Sequence, residues 1–169
     1  MSPTLARFLA RLGLLRPDRI RILVPAKRVR IETSLTVECV DGARRPLDVV
    51  IDSGCSVTTM DAALARRLQI PMQGPRTPKQ RTGSGGKRTI EVIEGTFRFW
   101  LSKDQRAAPF VAPIHFEENQ PTGVPPLFGL KGIIDQIRWT IGPCEPAIDG
   151  VLGCCVLEDV RPVAQRYPS

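Results

Sequence analysis

The chain has 169 residues, 42% of them hydrophobic and 24% charged, which fits one globular domain with extensions and excludes a disordered protein. Its net charge of +7 arises in residues 1–30, because the remaining 16 basic and 16 acidic residues cancel. The excess charge therefore belongs to an N-terminal arm. Without a recognised motif or many aromatic residues, this arm does not predict a nucleic-acid-binding protein.

The cysteine content favours a reducing compartment. The five cysteines are an odd number without the spacing of metal ligands, and the adjacent pair Cys154 and Cys155 would point to opposite faces of a strand. We therefore expect a cytoplasmic protein with no metal site. The N-terminus lacks the continuous apolar region of a secretory signal, and no stretch approaches the length of a membrane-spanning helix.

The N-terminal arm contains one candidate helix. Residues 4–15 place apolar side chains at helical spacing with arginines on the opposite side, so they predict a short basic amphipathic helix. Such a helix could contact an anionic membrane or a partner, or it could dock on its own domain. Pro17 and Pro25 predict a linker. We therefore divide the chain into an arm and linker (1–28), a domain (29–160) and a C-terminal tail (161–169).

Two predicted strands lead to an acidic turn. Residues 29–40 alternate between apolar and polar side chains, Asp41 and Gly42 predict a hairpin turn, and residues 46–51 return as an apolar strand. This strand runs straight into Asp52. A carboxylate at the end of an apolar strand is costly unless it is hydrogen-bonded, paired or used in chemistry.

The residues around Asp52 allow more than one interpretation. In isolation, Asp52-Ser53-Gly54 is most often an Asx-type turn that closes a strand. A thiol peptidase would pair Cys55 with His115, the only histidine, but nothing around Cys55 supports that pairing, and a small buried cysteine is the preferred interpretation. Residues 61–68 follow as a short helix with three inward side chains, Ala62, Ala65 and Leu68.

A glycine-rich hairpin is predicted over residues 76–94. Its tip consists of Thr82, Gly83, Ser84, Gly85 and Gly86. Five basic residues and no acid lie between positions 76 and 88, so the hairpin either favours acidic residues in a ligand or is merely kept solvated by its charge. Two more strands are predicted over residues 96–101 and 109–116, and a polar, proline-rich loop over 117–126.

The last informative stretch is residues 126–141. Leu127 and Phe128 precede Gly129, after which a short helix and a strand ending at Ile141 are predicted. Residues 151–153 also read as two hydrophobic residues and a glycine, and they begin a further apolar strand over residues 150–157.

The order of these motifs resembles that of the retroviral-type (retropepsin-like) aspartic peptidases. The run from Val49 to Thr58 is similar to their active-site motif, with Asp52 as the catalytic acid and with Ser53, Gly54, Ser56 and Thr58 supporting its loop. The hairpin tip at residues 82–86 stands where the family has its flap. Residues 127–129 resemble the second family signature, which packs against the active-site loop, and we prefer them over 151–153 for this role.

The resemblance implies an all-β protein with a closed acid-protease-type barrel and one or two short helices. It also implies a homodimeric aspartic endopeptidase that acts on peptides or proteins without a cofactor, because the chain has one Asp52 and no second Asp-Ser/Thr-Gly. Ser53 and Cys55 depart from the threonine and alanine usual in retroviral members. A catalytically silent module for dimerisation or peptide binding is the alternative.

Overall fold

The computed structural model describes residues 19–25, 30–83, 86–101, 107–118, 120, 123–144 and 147–168. The predicted helix at residues 4–15 and the tip residues Ser84 and Gly85 lie outside these ranges. The described residues form two helices, α1 (Ala62–Leu68) and α2 (Val163–Arg166), neither long enough to cross a membrane. They also form ten strands: β1 (Arg19–Pro25), β2 (Ile31–Glu38), β3 (Arg44–Ile51), β4 (Thr58–Asp61), β5 (Arg76–Gly83), β6 (Gly86–Trp100), β7 (Phe110–Glu117), β8 (Leu127–Phe128), β9 (Ile137–Gly142) and β10 (Val151–Asp159).

Seven strands form one sheet in the order β2-β3-β8-β4-β7-β6-β5. The edge strand β2 also pairs with β6, through Thr36 with Trp100 and Val37 with Phe99, so the sheet curves around its core. The structure is mostly β with two short helices, as predicted. The closed barrel stays a prediction, because the contact between β2 and β6 extends over only two residue pairs.

The remaining strands form a three-stranded sheet in the order β1-β10-β9. Residues 19–25 were expected in a linker, yet they pair with β10 from Arg19 opposite Glu158 to Pro25 opposite Val151. Ile22 and Val24 are buried and alternate with the exposed residues Arg21, Leu23 and Pro25, which is typical of a strand. Pro25 is tolerated because it stands at the strand end, beside an irregularity in the register.

Aromatic side chains from both sheets form the centre of the core. The ring of Phe99 stacks on Phe97 and Phe110 at centroid distances of 4.7 and 5.2 Å, and it meets Phe128 edge-on at 5.3 Å. Phe128 in turn stacks on Trp139 of β9 at 5.8 Å. These contacts connect the short strand β8, which follows the proline-rich loop, to β6 of its own sheet and to β9 of the other sheet.

Two elements differ from the prediction. The second strand of the hairpin predicted over residues 76–94 and the strand predicted over 96–101 are one continuous strand, β6. A Cβ on Gly95, in its middle, would stand 3.1 Å from the Phe116 ring. The short helix expected after Gly129 is a series of turns over residues 131–136. Gly132 has a φ of +70°, which no right-handed helix accommodates, although Ile133 and Ile137 donate hydrogen bonds to carbonyls three and four residues back.

A buried ion pair ties the C-terminal residues to the domain. Asp159 accepts hydrogen bonds from the Arg161 backbone N–H and from its guanidinium, at distances of 2.9 to 3.1 Å. The same guanidinium donates to the carbonyls of Pro109 and Ala108, both at 2.8 Å, and lies over the ring of Phe110. The residues predicted as a tail therefore begin with a buried arginine.

We predict that Arg161→Met lowers the free energy of unfolding by about 3–5 kcal/mol, because it leaves the Asp159 carboxylate buried without its partner. Arg138 is the matched control: it lies 3.8 Å from Glu158 in an exposed pair, so Arg138→Met should cost less than about 1 kcal/mol. Urea unfolding followed by tryptophan fluorescence measures both. Equal losses in the two variants would contradict the prediction.

Candidate active site

The Asp52 turn begins where strand β3 ends. The Asp52 N–H donates to the Phe128 carbonyl at 3.1 Å, and the Asp52 carbonyl accepts from the Cys55 N–H at 3.1 Å. Its carboxylate Oδ1 accepts from the Gly54 N–H at 2.9 Å, which is the Asx-type turn. A Cβ on Gly54 would stand 3.2 Å from the same oxygen. The turn therefore fixes the direction of a half-buried carboxylate, while Ser53 and Gly54 are exposed.

Residues 127–129 lie directly against this turn. Strand β8 runs parallel to β3, with Leu127 opposite Val50 and Phe128 opposite Ile51. A Cβ on Gly129 would come within 2.6 to 2.8 Å of backbone atoms of Val57, Cys55 and Thr58, so only glycine fits there. The alternative stretch, residues 151–153, lies in the other sheet, where Gly153 packs against Gly142.

Hydrogen bonds then join the two segments. The buried Gly129 N–H donates to Thr58 Oγ1 at 3.1 Å. The N–H groups of Leu130 and Lys131 donate to the carbonyls of Cys55 and Ser56 at 3.0 and 2.8 Å. The loop that follows Asp52 is therefore held along its length by the chain segment around Gly129.

A cavity of about 380 Å³ opens between the Asp52 loop and the hairpin of β5 and β6. Of the residues selected from the sequence, the structure brings Asp52, Gly54, Ser56, Thr82 and Leu127 to its wall. Ser53 is exposed outside the lining, Thr58 is buried behind it, and Gly83 pairs with Gly86 at the end of the hairpin. Further lining residues are Cys55, Val57, Thr59, Lys79, Gln80, Arg81, Ile90, His115 and Glu117.

Sequence reasoning missed the polar wall that β4 and β7 form. Thr59 pairs with His115 in the parallel ladder between these strands, and Glu117 follows two residues later on the same face. Glu117 is 2% exposed and forms an ion pair with Arg81, while Gln120 donates to the same carboxylate. The available signal was the alternation of His115 and Glu117 with the buried Ile114 and Phe116.

Cys55 and His115 line the same cavity, but their environments do not favour a thiol nucleophile. The Cys55 thiol donates to the Val57 carbonyl at 2.9 Å. Burial, and then the charge of Asp52, raise the pKa of this thiol, so it stays protonated at neutral pH. Burial also lowers the pKa of His115 and keeps the imidazole neutral. Neither residue hydrogen-bonds the other in the part of the chain that the structure describes.

The basic residues of the hairpin are largely paired. Lys79 Nζ lies 2.6 Å from Glu94, whose pKa is lowered by this hydrogen bond and by a second one from Thr77. Arg76 lies 3.4 Å from Glu118. Lys87 and Arg88 are exposed. No group of three or more metal-ligating side chains occurs among the described residues.

A larger cavity of about 730 Å³ lies elsewhere, between β3, α1 and residues 123–126. Three acids line this cavity. Asp61 caps α1, Glu118 forms an ion pair with Arg66, and Asp48 is exposed to solvent. The smaller cavity is the better candidate because a carboxylate on a constrained turn forms part of its wall.

Comparisons with known proteins find similarity to aspartic proteases. The sequence model of the aspartyl protease family matches residues 35–114, which include the Asp52 turn and the hairpin. The fold is similar to that of a retropepsin-like aspartic protease from Rickettsia conorii, with a TM-score of 0.55 and 13% identity over 83% of this chain and 90% of the other. The protease of EIAV, solved with the inhibitor HBY-793, gives a TM-score of 0.40 and 20% identity over 59% and 81%. A search of curated proteins finds no match.

Two neighbouring threonines should respond oppositely to the same substitution. Thr58→Val removes the acceptor of the buried Gly129 N–H and should lower the free energy of unfolding by about 1–3 kcal/mol. Thr59→Val removes a buried hydroxyl without a partner among the described residues and should be neutral or stabilising by about 1 kcal/mol. Urea unfolding tests both, and a greater loss in Thr59→Val would contradict this account of the loop.

The lowered pKa of His115 predicts the direction of a pH effect. Burial, together with the facing charges of Lys79 and Lys131, lowers the pKa of His115 and outweighs the opposite effect of the Glu94 and Glu117 carboxylates. The pKa of histidine in an unfolded chain is about 6.5. Below that pH the unfolded chain binds more protons than the folded one, so the free energy of unfolding falls as the pH drops from about 7 to 5.

The matched variant is His115→Gln, which should lose this part of the pH dependence when melting temperatures are compared at both pH values. Glu94 and Glu118 have lowered pKa values, so their contributions are present above the ordinary carboxyl pKa and are lost only at lower pH. An unchanged slope between pH 7 and 5 in His115→Gln would contradict the assignment.

Proposed function

We propose that the chain is an aspartic endopeptidase of the retropepsin-like family and that its active site contains two Asp52 carboxylates, one from each subunit of a homodimer. The match of the aspartyl protease model to residues 35–114 and the similar fold of a retropepsin-like protease support this proposal. The observation that carries this proposal is the position of Asp52. Its carboxylate is held by the Gly54 amide on a turn at the wall of a cavity, beneath a hairpin.

The homodimer follows from the chemistry that one acid cannot perform alone. Water attack on a peptide carbonyl needs one group that accepts a proton from the water and another that donates a proton to the carbonyl oxygen. Two carboxylates about 3 Å apart supply both, because they share one proton between them. The sequence contains one Asp-Ser-Gly, so the second carboxylate has to come from a second copy of the chain.

The surroundings of Asp52 fit such a pairing. Ser53 and Gly54 are exposed, so the turn is accessible to another subunit, and the Ser53 hydroxyl is available for a hydrogen bond across a two-fold axis. The loop behind the turn is fixed by Thr58 and by the segment around Gly129. A carboxylate that is already oriented loses less freedom when the dimer forms.

The hairpin of β5 and β6 lies where it could cover the cavity beside Asp52. Lys79, Gln80, Arg81 and Thr82 line the cavity from the side opposite Asp52's loop, and the hairpin extends beyond Thr82 to the pair of Gly83 and Gly86. In the proposed reaction this hairpin closes over a peptide and excludes water other than the attacking molecule. The five free cysteines fit our proposal that the protein works in the cytoplasm.

We predict that Asp52→Asn abolishes cleavage of a peptide library at pH 4 to 7, with a loss of at least about 10²- to 10⁴-fold relative to wild type. Asp48→Asn is the control, because Asp48 is an exposed acid on the same strand and should leave cleavage unchanged. Mass spectrometry of the digests identifies the products.

A mixing experiment tests the shared site. Excess Asp52→Asn protein should inhibit the wild type, because most wild-type subunits then belong to dimers with one altered carboxylate. If wild type and Asp52→Asn cleave equally, the peptidase proposal is wrong. If a dimeric wild type cleaves nothing but binds peptides, the silent binding module is the function.

A further inference from the structure

The cavity beside Asp52 contains a guanidinium whose remaining hydrogen-bond donors are unused. Arg81 uses only Nη1 in its ion pair with Glu117, and both carboxylate oxygens are engaged by that one nitrogen. Its Nε and Nη2 have no acceptor among the described residues. The side chain is 25% exposed and lines the cavity, so part of it is in contact with the space that a ligand would occupy.

Glu117 holds this guanidinium in place and is not itself available to a ligand. It is 2% exposed, and one of its oxygens also accepts a hydrogen bond from Gln120. Both oxygens therefore have protein partners. A buried ion pair with a second donor fixes the plane of the guanidinium, because its alternative positions would leave a carboxylate buried without compensation.

A second, independent observation points to a ligand at the same place. Thr59 is 7% exposed, its hydroxyl has no hydrogen-bond partner among the described residues, and its residue lines the cavity. A buried polar group without a partner costs about 1–3 kcal/mol, so its retention calls for an explanation. The oxygen is covered in the structure as it stands, so a ligand supplies the missing partner when it displaces the atoms that cover the hydroxyl.

The other residues that line the cavity restrict the chemical class of the ligand. Ile90 and Leu127 contribute apolar surface, and His115 is kept neutral by burial. Lys79 is already paired with Glu94. Besides the polar side chains of Ser56, Gln80 and Thr82, the wall therefore presents the remaining donors of Arg81 and the unpartnered hydroxyl of Thr59.

We propose that this cavity binds a substrate side chain that ends in a carboxylate or carboxamide, and that Arg81 and Thr59 are the residues that determine this specificity. The inference rests on the proposed peptidase function, since the side chain belongs to the peptide that is cleaved. A lysine or arginine side chain is disfavoured beside Arg81, because it would face the guanidinium while both oxygens of Glu117 are already engaged. A purely apolar side chain would leave the Arg81 and Thr59 groups unpaired.

The test uses a peptide that the wild type cleaves, resynthesised with Glu, Gln, Met or Lys at one position at a time on both sides of the cleaved bond. These side chains are similar in length and differ in their terminal groups. At one position, Glu and Gln should exceed Met by about 10-fold or more in kcat/KM, the equivalent of one charge-assisted hydrogen bond, and Lys should be the poorest.

Two conservative variants test whether Arg81 and Thr59 cause the preference for Glu and Gln. Arg81→Lys keeps the charge opposite Glu117 but replaces the planar donors, and Thr59→Val keeps the shape but removes the hydroxyl. Each should reduce the ratio of kcat/KM for the Glu or Gln peptide to that for the Met peptide by several-fold at that position. The control is Arg98→Met, which removes an arginine paired with Glu38 away from the cavity and should leave the ratio unchanged.

The outcomes separate this proposal from that of the peptidase. Cleavage with no such preference, or with a preference that Arg81→Lys and Thr59→Val both leave intact, overturns the subsite. Peptide binding to Asp52→Asn protein, followed by fluorescence anisotropy with the same four peptides, is the second measurement. Preference in binding without any cleavage supports the subsite and refutes the peptidase. The absence of both cleavage and preferential binding refutes both.

Discussion

The close approach of Gly129 to the Asp52 loop is the constraint on which the rest of the structure depends. No side chain larger than hydrogen fits at residue 129, since backbone atoms of three loop residues would lie within 2.8 Å of its Cβ. This approach allows the Gly129 N–H to reach Thr58, and it brings the Phe128 carbonyl to the Asp52 N–H. The carboxylate is thus positioned by main-chain contacts, which do not depend on the rotamer of any long side chain.

The same constraint links the site to the core. Phe128 is fully buried and meets the rings of Phe99 and Trp139, so the residue that accepts from the Asp52 N–H is itself fixed by aromatic packing. Strand β8 has only two residues, yet it pairs with β3 on one side and β4 on the other. A strand this short is held by the strands that flank it and by its ring, because two residues cannot supply a stable ladder alone.

Local features of the chain could be predicted from the sequence, and contacts between distant segments could not. The Asp52 turn, the hairpin and α1 depend on neighbouring residues, namely an acid before Ser-Gly, glycines between β-formers, and Asp61 as a helix cap. The strand at residues 19–25 was missed because its partner, β10, lies more than 120 residues away and because its prolines suggested a break. The turns at residues 131–136 were missed because the positive φ of Gly132, where a Cβ would stand 2.7 Å from Pro113, could not be inferred from neighbouring residues.

The charge of the hairpin illustrates why a run of like residues cannot be interpreted as a unit. Five basic residues allowed two interpretations, attraction of an acidic ligand or simple solvation, and the structure assigns different environments to different members of the run. Lys87 and Arg88 are exposed to solvent. Arg76 forms an ion pair with Glu118, and Lys79 forms one with Glu94. Of these five residues, only Arg81 combines a buried counter-ion with a position in the wall of the Asp52 cavity. The counter-ion, Glu117, belongs to β7, a strand that was predicted from the sequence without its contacts to the hairpin. The selectivity of such a site therefore depends on which charge is fixed in the wall, and the number of charges nearby has little bearing on it.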